Sequence, residues 1–196
     1  MLRESLKNHN IILASGSPRR QHFFKELDID FKIDVREVEE IFPPSLQREE
    51  ITNYLAILKA SAFTNMQPKD IIITSDTIVW HNKKAINKPA DAAEAKRMLK
   101  GLSGTVHEVF TSVCFTMATS QKTVFDVTQV YFNKLTDAEI DYYIKTCKPF
   151  DKAGSYGIQD WLGYIGVEKI EGCFFNVMGL PTRLVYKTLM QLVTQD

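Results

Sequence analysis

The sequence predicts an α/β protein with a mixed, twisted central sheet flanked by helices, and three observations carry that expectation. Short apolar runs rich in β-branched residues, at 10–15 and 70–80, have the length and composition of buried strands. Two longer β-type runs, "HEVFTSVCFTMA" (107–118) and "TVFDVTQVYF" (123–132), follow one another with only the polar "TSQK" between them, which reads as a hairpin and breaks any strict βαβ rhythm. Asp91 with Glu94, and Thr136 with Glu139, have capping-box spacing and so mark two helix starts.

Taken in order, "NIILAS" (10–15) is a strand closed by Gly16. Ser17 then stands where a helix N-cap belongs, and Pro18 at the first helical position. Phe23, Phe24 and Leu27 give that helix one apolar face. "DFKIDV" (30–35) alternates like a half-buried strand, and "PPSLQREE" (43–50) is a connecting loop. An amphipathic helix is expected from Ile51 to about Ala62. "DIIITSDTIVW" (70–80) is the most hydrophobic strand candidate, and a lone acid, Asp76, sits in its second half. "HNKK" is a polar turn, and the two capping boxes open helices to about Lys100 and through Thr146. Six of the nine glycines fall at 154, 157, 163, 166, 172 and 179, so the last third reads as looped, with backbone approaching something closely. A helix beginning at Pro181 closes the chain.

The bulk properties narrow the function. At 196 residues the chain has room for one sizeable core or two small lobes. Lys+Arg and Asp+Glu both count 24, so net charge is zero, and binding to nucleic acid through a broad basic surface is not expected. The N-terminus "MLRESLKNHN" lacks the apolar core of a secretion signal, and no apolar run approaches the roughly 18 residues of a membrane span. Cys114, Cys147 and Cys173 are odd in number and widely spaced, which suggests reduced thiols and a cytoplasmic protein.

Four constellations carry potential chemistry. "SGSPRR" (15–20) places a strand–turn–helix junction beside Arg19 and Arg20. A helix N-terminus offers unpaired N–H groups to an anion, and guanidinium forks match phosphate oxygens. Read alone, a capped helix with two solvated arginines is the favoured reading. A P-loop is excluded, because G-x-x-x-x-G-K-[ST] is absent. Asp76 lies among β-branched apolar residues, where a carboxylate is costly unless paired or metal-bound; a solvent-facing strand end is the alternative. Lys59, Lys88 and Lys152 each stand beside a break or an apolar face and would suit a polyphosphate if they converge. "REVEE" ends in Glu39 and Glu40, a solvated charge run unless it meets Asp76. The four histidines have no metal-binding spacing, and no G-x-S-x-G elbow supports acyl transfer.

"LASGSPRR", "SDTIV", "NKPADAAEAKRMLKGLSGTVHEVFTSV", "DKAGSYGIQ" and "NVMGLP", in this order across roughly residues 10–190, resemble the Maf family, nucleotide pyrophosphatases also known as septum-formation-inhibitor proteins. The resemblance implies a single Maf domain over residues 1–196, with 1–9 as an N-terminal extension, and a Maf/ITPase-like fold of two lobes with a cleft. It implies that Ser17, Arg19 and Arg20 bind the phosphate chain with help from Lys59 and Lys88. Asp76 would be the general base or metal-linked carboxylate, and Glu40 would help to hold a divalent ion, Mg²⁺ or Mn²⁺. Arg19, Thr77 and Gln159 match the branch acting on dTTP and UTP rather than the one acting on 7-methyl-GTP. Thr77 and the Gln159 amide would read the pyrimidine edge, since an amide supplies both donor and acceptor.

The implied reaction is metal-assisted attack of water at the α-phosphorus, giving a nucleoside monophosphate and pyrophosphate. Modified pyrimidine nucleotides are further candidate substrates. A homodimer is the family expectation; no membrane or nucleic-acid partner is expected. Two departures stand out: "NKP" where G-K-P is frequent, and the bulky "DWLGYIG" after the GIQ motif. The rival readings are a non-catalytic regulatory protein of cell division that binds nucleotides, and an RNA-binding module, the latter opposed by zero net charge and the lack of an aromatic stripe.

Overall fold

The computed structural model describes residues 1–194. Its sheet has seven strands in the order β2-β1-β3-β5-β6-β7, with β4 paired to β3 off that path. The strands are β1 (Asn10–Leu13), β2 (Lys32–Ile33), β3 (Asp70–His81), β4 (Lys84–Ile86), β5 (Val106–Thr116), β6 (Gln121–Phe132) and β7 (Val167–Glu171). β1 runs parallel to β2 and β3, whereas β3–β4 and β6–β7 are antiparallel, so the sheet is mixed as expected. The helices are α1 (Leu2–Leu6), α2 (Pro18–Glu26), α3 (Glu49–Ser61), α4 (Ala92–Leu102), α5 (Asp137–Cys147), α6 (Trp161–Gly166), α7 (Phe174–Val177) and α8 (Thr182–Val193).

The chain divides into two compact units. Unit 1 comprises residues 1–76, 111–126 and those from Gly179 on; unit 2 comprises 77–110 and 127–178. In unit 1, β1 pairs Ile11, Ile12 and Leu13 with Ile71, Ile72 and Ile73 of β3. Ile11, Leu13, Ile71, Ile72 and Ile73 are buried almost completely, as a near-continuous apolar run in parallel strands requires. Residues 1–9, read from sequence as an extension, contain α1, whose Leu2 and Leu6 are buried and which packs against α8.

α3 packs through a stripe of small residues. Thr52, Ala56 and Ala60 recur at intervals of four, hence on one face, and all three are buried. Thr52 Oγ1 meets Ser112 Oγ at 2.6 Å, the Thr74 hydroxyl donates to the Ala56 carbonyl at 2.6 Å, and Ala56 and Ala60 close on Cys114.

Unit 2 has its own core, in which Leu99 and Leu102 of α4 and Ile140 and Tyr143 of α5 meet Val130 and Phe132 of β6. The Thr136 box is complete: the Thr136 N–H donates to Glu139 and the Glu139 N–H to Thr136 Oγ1. The Asp91 box is not reciprocal. Asp91 accepts from the Glu94 N–H, but the Glu94 carboxylate takes the Ala90 N–H instead.

Several boundaries differ from expectation. The strand read at 30–35 is only Lys32–Ile33, and α3 begins at Glu49, two residues before Ile51. "HNKK" is the turn of a β3–β4 hairpin, with Asn82 and Lys83 at φ 49° and 62°, the left-handed pair that such two-residue turns need. The last third is less looped than its glycines suggest, since it holds α6, β7 and α7. β7 ends the strand order and carries Glu168, Lys169 and Glu171, charges that blunt an open edge.

Candidate active site

Six of the predicted site residues, Ser17, Arg19, Arg20, Glu40, Lys59 and Asp76, lie in unit 1. After β1, residues 14–17 turn the chain into α2. Ser17 is the N-cap residue, yet its hydroxyl makes no capping bond; its N–H donates to Ser15 Oγ at 3.3 Å. The first turn of α2 therefore has no side-chain cap, and Pro18 has no N–H to satisfy. A Cβ placed on Gly16 would meet nothing within 4 Å, so the backbone ahead of the helix stands open. Arg19 is half-buried in this first turn.

Arg20 has a role that its sequence position does not announce. Its Nε donates to the Gly179 carbonyl and its Nη1 to the Ser75 carbonyl, each at 2.8 Å. The guanidinium thus ties the start of α2 to β3 beside Asp76 and to the turn ahead of α8.

Lys59 stands in the last turn of α3, one residue before the buried Ala60, so docking of the small-residue stripe carries it to β3. Its ammonium lies 2.7 Å from Asp76 Oδ1 and 2.9 Å from Glu40 Oε2. The two acids, far apart in sequence, therefore converge on one point. Burial pushes the Asp76 carboxyl above the ordinary carboxylate range, against the opposing pull of Lys59 and, less strongly, Arg20. A carboxylate so raised is a better proton acceptor than a solvated one.

Glu40 itself is exposed and sits on an irregular segment. Arg36 secures that segment: its guanidinium donates to the Ala62 carbonyl at 2.8 Å and to Asp34 at 3.1 Å, and lies 4.1 Å from the Phe63 ring centroid. Sequence reasoning missed Arg36; the carbonyl it binds belongs to the C-cap residue of α3, a partner that no spacing rule specifies.

The other predicted residues, Thr77, Lys88 and Gln159, lie in unit 2. Thr77 is half-buried on β3 and Lys88 is exposed just beyond β4. Gln159 is half-buried at the end of the "DKAGSYGIQ" stretch, whose residues 154–158 are buried. Lys152, a polyphosphate candidate from sequence, pairs with Asp151 at 2.8 Å and approaches Asp160 at 3.6 Å. His107 Nε2 is hydrogen-bonded to the Tyr156 hydroxyl at 2.7 Å, and burial lowers its pKa to about 3. His107 is therefore a neutral core group.

The Maf-like protein family matches residues 10–192. The chain belongs to the Maf family. This Maf chain is 57% identical over 194 residues to the dTTP/UTP pyrophosphatase of Christiangramia forsetii, covering 98% of this chain and 99% of that one. It is 56% identical to the dTTP/UTP pyrophosphatase of Flavobacterium johnsoniae (98% and 100% covered) and 48% identical to that of Phocaeicola vulgatus (96% and 99%). Among solved structures, a HAM1 protein from Coxiella burnetii superposes with a TM-score of 0.51 at 14% identity, covering 93% of this Maf chain and 99% of the other. That likeness concerns the fold, the mixed sheet flanked by helices that the sequence predicted. Among the described residues, no helix is long and apolar enough to cross a membrane.

Proposed function

We propose that the chain hydrolyses dTTP and UTP to the nucleoside monophosphate and pyrophosphate, by attack of water at the α-phosphorus. The observation that carries this reading is the buried Asp76 carboxylate, raised by its surroundings and held by Lys59 beside an uncapped helix N-terminus, in a chain close to relatives named for that activity. Asp76 takes the proton of the attacking water. The first turn of α2, with Ser17, Arg19 and Arg20, receives the phosphate chain, and Lys59 and Lys88 add positive charge. Such chemistry depends on positioning and charge stabilisation rather than on covalent catalysis.

Glu40 and Asp76 fit a divalent cation, because both reach the same ammonium within 3 Å and so can face one ion together. Among the described residues no cluster of three or more His, Cys, Asp or Glu forms a metal cage. Mg²⁺ or Mn²⁺ arriving with the nucleotide would be held by these two carboxylates, with phosphate and water as further oxygen ligands. When bound, such an ion neutralises charge on the phosphate oxygens and lowers the pKa of water. In unit 2, Thr77 and Gln159 read the pyrimidine. A cytoplasmic location fits this reading, together with cysteines that are all free thiols among the described residues.

Pyrophosphate release from a panel of nucleoside triphosphates, with and without Mg²⁺ or Mn²⁺, tests the reading. Divalent-dependent turnover of dTTP and UTP is expected. Equal turnover of GTP or 7-methyl-GTP would overturn the substrate assignment, and absence of turnover with retained nucleotide binding would favour the regulatory reading.

A further inference from the structure

The "DKAGSYGIQ" stretch places Gln159, but nothing in its own sequence explains what holds it in place. The support comes from α5. Tyr143 is completely buried, and its ring belongs to the core of unit 2. Its hydroxyl uses both of its hydrogen-bonding functions on one short segment: it accepts from the Gly157 N–H at 3.0 Å and donates to Asp160 Oδ2 at 3.0 Å. The Asp160 N–H in turn donates to the Gly157 carbonyl at 3.0 Å, so residues 157–160 close a turn whose two ends meet at one phenol. Burial keeps the Tyr143 hydroxyl far above its ordinary pKa, so the donated proton is present at every working pH.

Two glycines allow this closeness. A Cβ on Gly157 would fall 2.6 Å from Asp160 Oδ2 and 2.8 Å from Gln159 Nε2, which places the Gln159 amide and the Asp160 carboxylate directly over the bare Cα. A Cβ on Gly163 would fall 1.8 Å from the Ile158 carbonyl, so α6 presses on the same turn from its other end.

We propose that Tyr143 is a positioning residue for base recognition, fixing through its hydroxyl the backbone on both sides of Gln159 and hence the direction of the Gln159 amide. The proposal rests on the reading that this amide contacts the pyrimidine. The ring alone satisfies the packing of α5, and a phenylalanine would fill the same space. What the hydroxyl adds is confined to Gly157 and Asp160.

The test uses the full chain and the Tyr143→Phe variant, with Gln159→Ala and the double variant beside it. Tyr143→Phe removes both hydroxyl hydrogen bonds, and misplacing the Gln159 amide should deprive the base of one hydrogen bond, about tenfold in kcat/KM for UTP and dTTP and mainly through KM, with GTP and CTP changing by less than about twofold. In the double variant the loss should equal that of Gln159→Ala alone, since both act through one amide. Equal losses for every nucleotide, or additive losses in the double variant, would overturn the proposal. If Gln159→Ala flattens base selectivity and Tyr143→Phe does not, the positioning role alone falls. If Gln159→Ala leaves selectivity unchanged, the base-contact reading falls and this proposal with it. Amide hydrogen exchange gives a readout free of substrate: exchange at Gly157 should accelerate in Tyr143→Phe, and unchanged protection there would refute the role outright.

Discussion

Unit 1 holds its functional groups by opposite charge, whereas unit 2 holds Gln159 through the hydrogen bonds of one buried phenol and close backbone packing. In unit 1, Lys59 joins Asp76 and Glu40, and the guanidiniums of Arg20 and Arg36 anchor the surrounding segments to main-chain carbonyls. In unit 2 a phenol, two glycines and a half-buried carboxylate set one turn. The contrast follows the chemistry proposed for the residues of each unit. A phosphate chain is recognised by charge, which tolerates small displacements because Coulomb attraction falls slowly with distance. A pyrimidine edge is recognised by hydrogen bonds, which weaken steeply with misalignment and so demand a fixed backbone.

The largest effect expected from breaking this contrast is at Asp76. Asp76→Asn keeps the shape of the side chain but removes the proton acceptor, and kcat should fall by about 10²–10⁴-fold for every nucleotide alike. Steady-state kinetics beside a melting curve check it; near-normal turnover in a folded variant would remove Asp76 from the mechanism.

Next comes Lys59→Met. Losing a charge-assisted hydrogen bond should lower kcat/KM by about 10- to 100-fold near neutral pH. The sign of its pH effect is fixed. Asp76 must be ionised to accept a proton, burial raises its pKa and Lys59 opposes that rise. Removing the ammonium lets the carboxyl rise further, so the acid limb of the kcat/KM profile should move to higher pH. A limb that stays in place would mean that another group titrates there.

Gln159→Ala sharpens the comparison from the other side. Leaving base groups unpaired should lower kcat/KM for dTTP and UTP by about one to two decades, with much smaller losses for other bases. A uniform loss with a lowered Tm would make Gln159 a structural residue. The smallest effect is a control: Thr136→Ala removes the hydroxyl half of the α5 capping box and should cost about 1 kcal/mol of stability with kcat/KM unchanged, read as a modest fall in Tm.

The same contrast explains what was legible in the sequence. Charged residues in improbable places advertise themselves. Residue type alone points to Asp76 inside a β-branched strand and to Arg19–Arg20 after a strand, and Glu40 and Asp76 both contact Lys59. Strands β1, β2, β3, β5 and β6 and the two helix starts at Asp91 and Thr136 were legible because periodicity and caps are local signals, whereas β7 lies in a stretch that its glycines made look looped. β4, three residues long, lies below the length at which alternation can be read.

Tyr143 was hidden for a different reason. On an amphipathic helix it looks like any core aromatic, and only the fold shows where its hydroxyl lands. Arg36 and the carbonyl partners of Arg20 were hidden likewise, since main-chain acceptors leave no trace in residue type. The Ser17 hydroxyl, expected to cap α2, does not, and Glu94 turns to Ala90 rather than Asp91; both are choices among nearby partners that spacing cannot rank.

In the proposed reaction a water molecule attacks the α-phosphorus of a pyrimidine triphosphate. Hydrolysis of UTP by the wild-type chain in ¹⁸O-labelled water, followed by mass spectrometry of the products, tests it directly. One heavy oxygen in UMP and none in pyrophosphate is expected. Label in the pyrophosphate would place the attack at the β-phosphorus, and UDP with labelled orthophosphate would place it at the γ-phosphorus; either result would contradict the account.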